Sequence, residues 1–263
     1  MFFRAAEISL GVCLIMADVV KLSYLNPAIA VVAMEDREHG NTFSKCLVKE
    51  LLEIFQKIKS DPNVHVVVIH GYDNYFCCGG TKEELLNLQA QKGTFADSDF
   101  YRVLLDCDVP VIAAMQGHAL GGGLALACYA DTMIMAEECL YSANFMKYGF
   151  TPGMGATYVI PRKFGLTLGH EMLYTAESYS GLALKYRGIS PLVVKKKNVI
   201  ETALSLAEKI SEKPLISLKL LKQHLSQEMK SELPRIVEQE IKMHAITFSQ
   251  IEVKSRIEER FGN

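Results

Sequence analysis

Apolar residues recur along the chain with two periods, and each change of period marks an element. "VVKLSYL" and "AIAVVAM" flank Asn26-Pro27, and two short apolar runs around a turn dipeptide predict a β-hairpin. "SKCLVKELLEIFQKIKSD" then places its apolar residues at helical spacing, with Ser44 in position to cap the helix. "VHVVVIHG" is a continuous apolar run, ended by Gly71, and predicts a buried strand. "VPVIAAM" predicts another strand, "GLALACYA" a helix and "DTMIMA" a third strand. Strands separated by helices imply right-handed β-α crossovers and an α/β fold. From about Val199 the pattern becomes predominantly helical, with breaks expected near Pro214 and Pro234. No repeat of 20–50 residues is visible. These patterns divide the chain into an N-terminal extension (1–16), an α/β core (17–198) and a C-terminal helical region (199–263).

Composition narrows the class. A chain of 263 residues, 49% hydrophobic, can bury a substantial core. With 28 basic and 30 acidic residues there is no electrostatic case for nucleic acid or an anionic membrane as partner. The seven cysteines show no metal-type spacing, Cys77 and Cys78 are adjacent, and an odd number suits no complete disulfide framework. A reduced, cytoplasmic protein is expected. Arg4 precedes the apolar run "ISLGVCLIMA", which is too short to span a bilayer and is followed by no small-residue cleavage site. Met16 offers a second start, since the regular pattern begins near Val19.

Chemistry concentrates at "GHALGGGLALACYAD", residues 117–131, where three consecutive glycines join a strand to a helix. Backbone N–H groups and a helix N-terminus at such a turn suit an oxyanion or a phosphate. The order Gly117, Gly121, Gly122, Gly123 does not give the G-x-G-x-x-G dinucleotide pattern, and no Lys-Ser/Thr follows as in a phosphate loop. On this segment alone, a purely structural turn is the alternative.

Two further segments accompany it in order: "NYFCCGGTKEEL" after the strand ending at Gly71, and "YGFTPGMGATYVIPRKFG" after the third strand. Together the three resemble the enoyl-CoA hydratase/isomerase, or crotonase, superfamily, from roughly Ala28 to the C-terminus. The resemblance implies a crotonase-like spiral of β-β-α units, a C-terminal helical trimerisation region and a thioester-binding site. A homotrimer or dimer of trimers is the implied assembly, with no metal or redox cofactor. It also implies that the N–H groups of Gly80 and Gly122 form the oxyanion hole for the thioester oxygen. Neither glycine has a Cβ to obstruct that approach.

Hydratases of the superfamily carry one glutamate two residues after the glycine triplet and another before P-G-x-G. Ala125 and Phe145 occupy those positions here, so both catalytic carboxylates are missing. Without them, proton transfer and water activation for hydration have no agent. Apolar replacements instead suit a substrate that bears its own carboxylate and loses it as carbon dioxide. "GYDNYFCCGGTKEELL", "ANFMKYGFTPGMGATYVIPRKFG" and "RIVEQEIKMHAITFSQIEVKSRI" resemble the second crotonase-type enzyme of polyketide β-branching cassettes. This narrower resemblance implies a lyase of antibiotic-type polyketide biosynthesis. The implied reaction is decarboxylation of a 3-methylglutaconyl group on the phosphopantetheine of an acyl carrier protein, with a CoA thioester as the other carrier. An enoyl-CoA or enoyl-carrier isomerase and a catalytically silent carrier-binding scaffold are the alternatives.

Lys82, two residues beyond Gly80, is the first choice to bind the departing carboxylate or deliver a proton; the exposed first turn of a helix is the competing reading. His244 is second, because the resemblance places a functional histidine on the late helix. Tyr75, before the oxyanion loop, is assigned to the substrate pocket with Ala125 and Phe145. Tyr141, Tyr148 and His118 are read as packing residues, and Cys77 and Cys78 have no local base to activate them.

Overall fold

Strands with almost no charged residue line up side by side, because a parallel strand covered on both faces must be apolar throughout. The computed structural model describes residues 18–90 and 99–260; the proposed extension at 1–16 lies outside them. The hairpin forms as expected: β1 (Val20–Asn26) pairs antiparallel with β2 (Ile29–Met34). β2 then pairs in parallel with β3 (Val66–His70). Helix α1 (Lys45–Ser60) intervenes, capped by the Ser44 Oγ, which accepts from the Leu47 N–H at 3.2 Å.

Each core strand of the large sheet is followed by a short strand that leaves it. β3 leads to β4 (Tyr75–Cys77) and α2 (Lys82–Gln89). β5 (Val111–Met115) leads to β6 (His118–Leu120) and α3 (Gly122–Cys128). β7 (Thr132–Ala136) leads to β8 (Leu140–Ser142) and a 3₁₀ turn, Asn144–Tyr148. β4, β6 and β8 pair in parallel, with β9 (Ser178–Ser180) antiparallel to β8, as a second sheet of four strands. The large sheet has the order β1-β2-β3-β5-β7-β10, closed by β10 (Leu192–Val194). These are three turns of a β-β-α spiral. Their starts at Val66, Val111 and Thr132 are unevenly spaced, so the sequence shows no period.

The turns of the spiral touch backbone to backbone. A Cβ on Gly123 would overlap the Cys77 carbonyl oxygen, so α3 begins directly against the end of β4. Only a residue without a side chain permits that approach.

After β8 the chain forms α4 (Ala156–Phe164), α5 (Leu166–Thr175) and α6 (Gly181–Tyr186). α7 (Val199–Ser211) packs across β3, β5 and β7, so the helical region from Val199 is joined to the core by its first helix. α8 (Leu215–Thr247) begins after Pro214, as the sequence predicts, but runs unbroken through Pro234. Proline removes one i→i−4 hydrogen bond, and tertiary packing offsets that loss: Leu233 and Val237 are buried on either side of the ring. The buried Lys222 anchors the helix, its Nζ 2.6 Å from Asp131 Oδ2, and that carboxylate oxygen also accepts from the Val111 N–H at 2.7 Å. α9 (Ile251–Arg260) then returns against α2 and the 3₁₀ turn. Among the described residues no helix is long and apolar enough to cross a membrane, and the six described cysteines are unpaired.

Gly123→Ala is expected to lower the free energy of unfolding by at least about 1–3 kcal/mol, the usual cost of overpacking. Urea denaturation followed by circular dichroism measures it, and wild-type stability in the variant would contradict the backbone contact.

Candidate active site

Parallel pairing of β4, β6 and β8 brings their C-terminal ends together, and the residues that follow them line one pocket. Gly79 and Gly80 follow β4, Gly121 and Gly122 follow β6, and Asn144 and Phe145 follow β8. The pocket encloses about 370 Å³ with its open mouth. Gly121 adopts φ +54° and ψ −120°, a conformation closed to side-chain-bearing residues, and so reverses the chain into α3. A Cβ on Gly79 would lie 3.1 Å from the Gly122 nitrogen, which places the first loop directly against the second. The backbone N–H groups of Gly80 and Gly122 donate to no acceptor among the described residues. Both residues line the pocket, with the start of α3 behind Gly122.

The walls are apolar. Phe145 is buried edge-on to Phe150, with ring centroids 6.3 Å apart, and Tyr148 stacks on the same Phe150 at 6.0 Å. Leu85 of α2 and Met154 complete the lining, none of whose residues carries a carboxylate. Met154 is held at φ +61°, strained for a residue with a side chain, and its thioether packs on Gly122. The strain is held by polar contacts behind the wall. Tyr129 donates its hydroxyl to the Met154 carbonyl at 2.7 Å. The buried Glu240 of α8 accepts from the N–H of Gly155 at 2.6 Å, the N–H of Thr157 at 2.9 Å and the Thr157 hydroxyl at 2.6 Å. Burial raises the Glu240 pKa, and these donors work against the shift.

The structure brings Gly80, Gly122 and Phe145 together at this pocket and places the other sequence-derived residues elsewhere. Ala125 lies one turn into α3, fully buried in the core rather than on the pocket wall. Tyr75 is 40% exposed at the opposite end of β4, with its ring against Tyr72 and His118, and does not line the pocket. It opens β4, whereas the pocket is lined from Cys78 onward, after the strand has ended. Lys82 opens α2, and its ammonium donates to the Glu258 carbonyl of α9 at 3.5 Å, at the seam between the two helices.

His244 stands behind the wall. Its Nε2 is 2.7 Å from the Thr151 carbonyl oxygen, and its ring meets Phe150 and Phe248 edge-on at 6.3 and 5.3 Å. Burial lowers the His244 pKa, and hydrogen bonds with the Thr151 and Pro152 backbone oppose the change. Tyr141 is wholly buried and satisfied by Ala136 and Met115, and the His118 Nδ1 accepts from the Leu140 N–H. Cys78 lines the pocket, its thiol pushed up to about 11 by burial. Sequence reasoning missed Asn144, Phe150 and Met154 as lining residues. Their only signal was position inside the segments 143–165, and no residue-type rule singles them out.

A spiral of β-β-α turns with two glycine N–H groups at one pocket defines a fold of the crotonase type. The chain belongs to the enoyl-CoA hydratase/isomerase family, whose model matches residues 25–261. It is 47% identical over 246 residues to the bacillaene synthase decarboxylase PksI of Bacillus subtilis, covering 94% of this chain and 99% of that protein. A solved structure from a dehydratase/decarboxylase couple involved in polyketide β-branching superposes with a TM-score of 0.92 at 47% identity, covering 93% of this chain and 100% of the other. The ECH2 decarboxylase domain of CurF from Lyngbya majuscula superposes at 0.90 with 39% identity, covering 93% and 100%.

Acid should loosen the wall. An imidazole of ordinary pKa, 6.5, takes up its proton in the unfolded chain before the lowered His244 does in the folded one. The contribution is therefore favourable above about pH 6.5 and is lost as pH falls, by up to about 1.4 kcal/mol per pH unit. Urea midpoints between pH 7 and pH 5 should fall less steeply in His244→Gln than in the wild type; equal slopes would show that this histidine is not the group responsible.

Proposed function

We propose that the chain is a decarboxylase of polyketide β-branching, acting on a 3-methylglutaconyl-type thioester carried on the phosphopantetheine of an acyl carrier protein. The observation that carries this reading is a pair of glycine N–H groups at a pocket whose lining contains no carboxylate. An enolate oxygen needs such donors, while an anionic substrate needs walls free of negative charge.

In the proposed reaction the thioester oxygen sits between the N–H groups of Gly80 and Gly122. The bond between the substrate's terminal carboxylate and its neighbouring methylene carbon breaks. Its electron pair passes through the conjugated system to the thioester oxygen, and carbon dioxide leaves. The resulting dienolate is neutralised by one proton, and delivery to the former methylene carbon gives a 3-methylcrotonyl product. The wall of Phe145, Phe150 and Met154 keeps water from the charged groups, which strengthens the two N–H contacts. A neutral Cys78 thiol suits a site whose product is itself open to thiolate addition.

We assign proton delivery to Lys82, which opens α2 just beyond Gly80; its one long contact to α9 is weak enough to release the ammonium, which swings toward the pocket to act. His244 is a positioning residue in this scheme, bracing Phe150 and the Thr151 carbonyl rather than touching substrate. A homotrimer is supported by α8, whose Ile216, Leu220, Leu221 and Leu225 form an exposed apolar stripe with no partner in the single chain among the described residues.

Purified protein incubated with 3-methylglutaconyl-carrier protein should release one carbon dioxide per thioester, followed by mass spectrometry of the carrier. An isomerised acyl group of unchanged mass would replace this reading with an isomerase, and an untouched substrate would replace it with a scaffold. Gly122→Pro removes one N–H donor and should cost about 10²–10³ in rate in protein that remains folded.

Lys82→Met, which keeps the apolar stem, should lower the single-turnover rate by about 10²-fold or more while leaving thioester affinity within a few-fold. Unchanged turnover would remove Lys82 from the chemistry.

A further inference from the structure

Among the described residues, the pocket lining contains an amide that nothing in the fold uses. Asn144 follows β8, immediately before Phe145, and is half-buried against the pocket. Among the described residues its amide makes no hydrogen bond, although the neighbouring Ser142 and Glu240 engage theirs fully. Its Oδ1 lies over Gly121, 2.6 Å from where a Cβ on that glycine would stand, so the NH₂ end is turned away from the glycine. The amide stays accessible from the pocket, so its hydrogen-bonding capacity is open to a bound ligand. The contact of Asn144 with Gly121, the residue before Gly122, puts it in the same pocket as the glycine N–H groups and within reach of an acyl group bound there.

We propose that Asn144 is a substrate-orienting residue whose amide donates to the terminal carboxylate of the acyl chain. This rests on the decarboxylase reading and adds to it the group that recognises the leaving carboxylate. The charge of that carboxylate must be held on entry into an apolar pocket, yet a fixed cation would favour the ground state over loss of the charge. A neutral amide orients the carboxylate without a counter-charge that resists its departure. Asn144 lines the pocket and Lys82 does not, so the amide is the polar side chain already in place for the carboxylate, and Lys82 keeps its separate role as proton donor. Asn144 therefore sets specificity for acyl chains that end in an acid, and the glycine pair holds the thioester common to all of them.

Two inert thioesters isolate the interaction: 3-methylglutaryl-pantetheine, which carries the carboxylate but lacks the double bond needed to lose it, and 3-methylbutyryl-pantetheine, which lacks the carboxylate. Isothermal titration gives the ratio of their affinities. Asn144→Ala should weaken binding of the first by about tenfold or more and of the second by less than about threefold, as expected for a hydrogen bond to a charged group. Asn144→Asp should weaken the first further by like-charge repulsion. Retained binding of 3-methylbutyryl-pantetheine shows an intact pocket; Asn144→Ala, which adds no charge, carries the test if the aspartate variant binds neither ligand. An affinity ratio equal to wild type in Asn144→Ala would overturn the assignment. Carbon dioxide release by the wild-type protein tests the decarboxylase reading separately, since the two inert ligands report on carboxylate recognition whether or not the wild type turns over.

Discussion

The contact on which the site depends is the approach of one turn of the spiral to the next, backbone against backbone, where Gly123 at the start of α3 meets the Cys77 carbonyl at the end of β4. A side chain between them would push the two loops apart and separate the N–H groups of Gly80 and Gly122, which the proposed reaction places on one oxygen. The energetic consequence is asymmetric. Glycine costs conformational entropy in the unfolded chain, and the return is a preorganised pair of donors that needs no rearrangement during reaction.

The opposite wall is built by a different device. Met154, packed on Gly122, has a backbone conformation it would not adopt alone, and that conformation is imposed from behind by Tyr129 and Glu240. His244 extends the same support to Thr151 and Phe150. Three polar side chains thus lie outside the apolar lining and shape it, two of them presented by α8. This arrangement lets the pocket stay free of charge while its walls are fixed by hydrogen bonds strengthened by burial. It also makes the long helix, anchored through Lys222 and Asp131, part of the active-site architecture.

Removing carboxylates from a fold that elsewhere performs hydration changes which reaction the oxyanion pair can serve. The enolate hole is indifferent to how its charge arises, whether by addition, proton removal or loss of carbon dioxide. The other wall makes that selection. Here it offers Phe145 and a neutral amide at Asn144, groups that would not repel the anionic chain of the proposed substrate.

Much of this was legible in the order of residues. The hairpin about Asn26-Pro27, the Ser44 cap, the buried strands and the glycine turn are local: each rests on periodicity, capping or backbone freedom within a few residues, and each formed as expected. Gly80, Gly122 and Phe145 were also accessible, because the resemblance to the crotonase superfamily carried its motif positions onto them, and all three line the pocket. Other positions depended on direction and distance. Ala125 and Phe145 occupy matched motif positions, yet the helical rotation of α3 turns the first into the core while the second reaches the pocket. Tyr75 lies at the far end of β4 against Tyr72 and His118, and the ammonium of Lys82 meets a carbonyl of α9. Pro234 reads as a helix break until packing on both sides holds α8 through it. The sequence by itself determined the strands, the helices and the glycine turn, since these follow from local spacing and chain sterics, while the spiral and the roles of Gly80 and Gly122 were implied by its resemblance to the crotonase superfamily. Only the tertiary structure decided which side chains face the pocket and which brace it, because that depends on contacts between residues far apart in the chain, such as Glu240 with Gly155 and His244 with Thr151.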